Sequence, residues 1–173
     1  MEASVSQEEK NKELVKILSW ILIVISALVL LGSIFLLRGY SAMITMQSIT
    51  KNFDPPVEIN FTLYFIQNAI KLLLCAVVFV SAAYVLVFRN FWRKILFYGL
   101  IASVIFLIVS PIIDYYNLPT ITINLMPGVE REKMYVSKTS LLIWSYAWSI
   151  IFSAFFVYVI LKLSREEVKL LFK

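Results

Sequence analysis

Five side chains with chemical reach recur at helical spacing within one apolar stretch: Tyr64, Gln67, Asn68, Lys71 and Cys75. At 100° per residue they fall within about 100° of one helix face. A phenol, two carboxamides, a lysine and a thiol on one face supply hydrogen-bond donors and a positive charge, which is what holding an anion or a polar headgroup requires. Asp114, three residues after Pro111 at the end of another apolar run, supplies the opposite charge. Ionisable groups inside a membrane are costly and mark functional sites by default. Gln67, Asn68, Lys71 and Asp114 are therefore the candidate polar cup, facing Ser110, with Ser145 and Tyr146 at similar depth. A structural reading stands beside this one. Counting back from Arg89, Lys71 lies about 27 Å along the helix, near the outer boundary, where a lysine snorkels to the headgroups. A Lys71–Asp114 ion pair would then serve only to fix how two helices pack.

Other chemistry is removed by composition. The chain has no histidine and one cysteine, so Cys/His zinc sites, Ser-His-Asp and Cys-His catalysis, and an internal disulfide are excluded. Four glycines show neither GxGxxG nor GxxxxGK[ST] spacing, so no nucleotide loop is present. No catalytic residue, metal or cofactor is expected. An enzyme would have to use Lys71 with Asp114 as its acid/base pair.

The elements that must position these groups are transmembrane helices. Of 173 residues, 61% are hydrophobic and 16% charged, and the mean hydropathy is +0.85. A soluble domain runs nearer half apolar and a quarter charged, so most of the length belongs in a bilayer. Four runs, 17–37, 62–88, 95–113 and 139–161, each reach the roughly 20 residues that a helix needs to cross about 30 Å of hydrocarbon. They are continuous rather than alternating, and lone helices satisfy their own backbone in lipid. The fold class is an all-α integral membrane protein, a four-helix transmembrane bundle forming a single membrane domain. The first run is too long for a signal-peptide core, and its acidic leader 2–16 is unlike a basic n-region.

Lysine and arginine set the orientation. The tails 1–16 and 162–173 and the loop 89–94 hold ten; the loops 38–61 and 114–138 hold five. That asymmetry places both termini in the cytoplasm and the two longer loops outside, in the plasma membrane. Basic residues that flank apolar runs answer to the membrane, so the net charge of +5 does not imply nucleic acid. Each outer loop carries an alternating stretch beside prolines, Val57, Ile59, Phe61 and Ile121, Ile123, Leu125; the two stretches either pair as short β-strands over the outer mouth or lie as extended loops on the headgroups. Two capping-box patterns, Ser6-x-x-Glu9 and Ser164-x-x-Glu167, point to helix starts in the tails. The second opens a tail with Val168, Leu171 and Phe172 on one side, which is either amphipathic on the inner leaflet or a frayed extension of the last helix. Asn60-Phe61-Thr62 is a glycosylation sequon, but it stands too near the membrane for ready use.

Small residues mark packing faces. Ser19, Ser26 and Ser33 recur every seven residues; Ser145, Ser149 and Ser153 recur every four; Gly99 and Ser103 form a small-xxx-small pair. Such residues let helix backbones approach in lipid; the alternative is that a serine row lines a water path. With no catalytic set, the expected function is an accessory subunit or regulator of a membrane complex, whose partners are the lipid bilayer and other membrane subunits or copies of itself. The alternatives are an oligomeric transporter or pore, or a lipid-headgroup-binding protein that uses the outer polar cup.

Overall fold

The computed structural model describes residues 2–50, 61–117 and 138–172, with side chains over 7–45, 61–116 and 143–172. Five helices follow in order: α1 (Glu2–Thr50), α2 (Phe61–Val85), α3 (Asn90–Asn117), α4 (Lys138–Leu163) and a short α5 (Glu166–Lys169). No strand occurs among the described residues. Both alternating loop stretches lie outside them except for Phe61, which opens α2, and so does Asn60 of the sequon. α1 to α4 are each long and apolar enough to cross a membrane, which makes this a multi-pass membrane protein.

Several helices run past the limits that hydropathy suggests, because hydropathy marks where lipid contact ends and not where helical hydrogen bonding ends. α1 covers 49 residues, about 74 Å at 1.5 Å per residue. Its N-terminal turns contain the ion pair Lys12–Glu8 at 2.6 Å, one turn apart. Beyond residue 37 no proline interrupts it, and Ser41 and Thr45 donate to Arg38 O and Ser41 O at 2.9 and 3.1 Å. The helix therefore passes through Ser6 instead of starting there. α3 likewise starts at Asn90, whose Oδ1 accepts from Arg93 Nε and Nη2 at 3.2 and 3.0 Å. It continues through Pro111 to Asn117. Proline has no N–H, so the Leu107 carbonyl lacks its partner one turn on.

The helices pack in chain order, α1 on α2, α2 on α3, α3 on α4, while α1 and α4 do not pack along their lengths. The core lies at one end. Val15, Leu18 and Leu22 near the start of α1 meet Val78, Ala82 and Val85 at the end of α2. Leu96 and Leu100 from the start of α3 join Val159 and Leu163 from the end of α4. Only helices alternating in direction bring those segments together. Gly99 permits the α2–α3 approach: a Cβ there would lie 3.2 Å from Val77 Cγ1.

The chain end seals this core, in place of either expected arrangement of the tail. α5 folds back so that Val168 and Phe172 are buried. Asn11 of α1 donates to Glu167 Oε2 at 3.4 Å, so the two chain ends share one end of the bundle. Ser164 does not cap α5; it bonds back to Ile160 O, and Arg165 takes the N-cap position without a side-chain bond. Arg93 Nη1 donates to Leu163 O at 3.1 Å, satisfying a carbonyl left open where α4 ends. Its guanidinium also lies 5.6 Å from the Phe172 ring centre. Phe88, in the α2–α3 turn, holds the left-handed conformation (φ 54°) and packs its ring 5.6 Å from Phe172. Phe172→Ala is thus expected to lower the thermal midpoint in detergent by far more than Leu170→Ala, since Leu170 is 81% exposed and Phe172 only 6%. Equal midpoints for the two variants would show that the tail does not seal the core.

Candidate functional site

Beyond that core, toward the opposite end, the four long helices diverge around a cavity of about 390 Å³. Its floor is mostly apolar. Leu22 and Val78 belong both to the core and to the cavity wall, and Phe106 and Phe156 extend the apolar surface. Its far end is polar: Lys71 on α2 and Ser110 and Asp114 on α3 all line it. From Ser103 to Asp114 the wall runs about 16 Å along α3. Pro111 also lines it, one turn after Leu107, so the carbonyl freed by the proline lies on the cavity side of α3.

The polar face of α2 is distributed among three neighbours. Tyr64 stacks on Tyr40 of α1, with ring centres 6.0 Å apart. Asn68 is buried and donates Nδ2 to Ser33 O of α1 at 2.7 Å, joining the two helices. Gln67 is also buried and lies beside the Asp114 carboxylate, yet its Nε2 has no acceptor in hydrogen-bond geometry. Lys71 and Cys75 face the cavity. So of the four candidate cup residues, Lys71 and Asp114 line one space, Gln67 backs it, and Asn68 serves the α1–α2 contact. Among the described residues no carboxylate lies within 4.0 Å of Lys71 Nζ, and the two ion pairs present, Lys12–Glu8 and Lys169–Glu166, lie elsewhere. Lys71 and Asp114 thus line one space without direct contact.

The small residues divide between contacts and cavity. Ser19, Ser26 and Ser33 are all buried; Ser26 bonds back to Leu22 O at 2.5 Å and also touches the cavity, whereas the Ser33 hydroxyl has no partner. Ser103 is buried, bonds to Gly99 O at 2.8 Å and lines the floor. Ser145 and Ser149 of α4 line the cavity, and the Ser153 hydroxyl is buried without a partner. Tyr146, expected at the depth of the cup, is not on its wall and is exposed.

Trp148 is the residue that sequence reading missed. It lines the cavity, remains 45% exposed and stacks on Phe152 at 5.7 Å. Its position four residues after Trp144 and one before Ser149 was the available signal. Among the described residues no group of three metal-binding side chains forms. Comparison with protein-family models, with curated proteins and with solved structures found no match.

The Asn68 bond is the polar tie between α1 and α2 nearest the cavity. Interhelical bonds of this kind in membranes contribute about 0.6–2 kcal/mol. Asn68→Leu should destabilise the protein in detergent unfolding by about that amount, while Ile70→Leu, at an exposed position, should be neutral. Neutral behaviour of Asn68→Leu would remove the tie from the account.

Proposed function

We propose that this protein binds a membrane lipid, with the apolar part of the lipid in the four-helix cavity and the headgroup at the Lys71–Asp114 end. The observation that carries this reading is the gradient along one cavity, from Leu22, Val78 and Phe106 at the floor to Lys71, Ser110 and Asp114 at the rim. Ligand sites are commonly apolar spaces of this size with a few placed polar groups. A through-pore is less well supported, because the residues below the floor, from Val78 to Leu100, form the packed core. The unpacked seam between α1 and α4 gives a lipid a sideways route from the bilayer.

The orientation belongs to the same proposal. Ten basic residues against five favour chain ends in the cytoplasm and a polar rim in the outer half of the plasma membrane. The role is non-catalytic: the protein presents or senses its lipid within a larger membrane assembly or as a homo-oligomer.

Native mass spectrometry from mild detergent tests the binding. One phospholipid should stay with the wild-type chain, and Ser149→Phe, which fills the wall, should lose it, while Ile150→Phe on the exposed face keeps it. A membrane-impermeant maleimide, applied to Gln47→Cys on a Cys75→Ala background, should react from outside intact cells. A wild-type chain that retains no lipid would sink the binding proposal, and labelling only after lysis would reverse the orientation.

A further inference from the structure

Lipids differ in what their headgroups carry, and the rim of this cavity discriminates among them. We infer that the site is built for a zwitterionic headgroup, with its phosphate at Lys71 and its ammonium at Asp114. This rests on the lipid-binding reading and narrows it.

Opposite charges face one space without joining. Lys71 comes from α2 and Asp114 from α3, both line the cavity, and they are not within 4.0 Å of each other. A purely anionic headgroup would gain from Lys71 but meet the Asp114 carboxylate, and like charges brought together oppose binding. A purely cationic amphiphile has the reverse problem at Lys71. A group that carries both charges a few bonds apart meets both residues with the right sign.

Gln67, nine-tenths buried, lies beside Asp114 and not on the cavity wall, so the headgroup's direct partners are the two charged side chains themselves.

The ammonium has two common sources, a primary amine as in ethanolamine lipids and a quaternary amine as in choline lipids. The first would hydrogen-bond Asp114, and the second would rely on charge alone.

The experiment offers the detergent-solubilised protein an equimolar mixture of phosphatidylethanolamine, phosphatidylcholine and phosphatidylglycerol with identical acyl chains, and reads the retained lipids by native mass spectrometry. The expected result is that the better-retained zwitterion exceeds phosphatidylglycerol about tenfold, a 1.4 kcal/mol preference. An excess of the ethanolamine lipid assigns a hydrogen-bonded primary ammonium, and an excess of the choline lipid assigns an ammonium held by charge alone; either supports the proposal. Asp114→Asn should shift retention toward phosphatidylglycerol, and Lys71→Met should lower retention of all three. Retention of all three lipids in equal amounts by the wild-type chain would overturn the headgroup assignment and leave lipid binding standing. Retention of none would overturn lipid binding itself. The wild-type ratio decides the matter even where a variant fails to fold.

Discussion

Close packing at one end of the bundle is the constraint on which the rest depends. In lipid no hydrophobic effect draws helices together, so association rests on shape and on hydrogen bonds. Here that fit is concentrated where α2 turns into α3. Ala82 and Val85 are fully buried there, Gly99 admits Val77 to close range, and α5 returns to cover the end with Val168 and Phe172. Arg93 ties the turn region to the end of α4. With the helices held so firmly at one end, they are free to part at the other.

That parting produces the site. The α1–α2 pair stays joined toward the far end through Asn68 and Ser33, so the divergence falls on the α1–α4 side, where the helices do not pack. The opening is lined by apolar groups near the core and by opposite charges near the rim. Lys71 and Asp114 line this space from neighbouring helices without forming an ion pair. A direct ion pair would have closed the rim and left little for a ligand to do. Separated, the two charges form a dipole aimed across the cavity mouth, and that polarity is the basis of the proposed lipid selectivity.

The four spanning helices were legible because the bilayer imposes a length and a composition that nothing else in the chain imitates. Their ends were less so. Residues such as Arg38 and Ser41 leave the apolar pattern yet stay helical, since nothing before Asp54-Pro55-Pro56 forbids it. The α2 face was readable from spacing alone, but its division among Tyr40, Ser33 and the cavity depended on neighbours that spacing cannot identify. The serine rows show the same limit: a small side chain suits a tight contact and a cavity wall equally. Ser19 and Ser33 are buried, whereas Ser145 and Ser149 line open space. The return of the tail was hidden for a related reason. Val168 and Phe172 announced an apolar side, but only the assembled bundle supplies the surface it covers.

On the proposed function, a bundle closed at one end holds a lipid in the open half between α1 and α4. An electron cryomicroscopy structure in lipid nanodiscs, with a rigid binder to add mass, puts this to the test. Elongated density is expected to run from the Leu22–Val78 floor to a headgroup between Lys71 and Asp114, with α1 and α4 apart. A bundle in which α1 packs against α4, with Lys71 bonded to Asp114 and no space between, would contradict it.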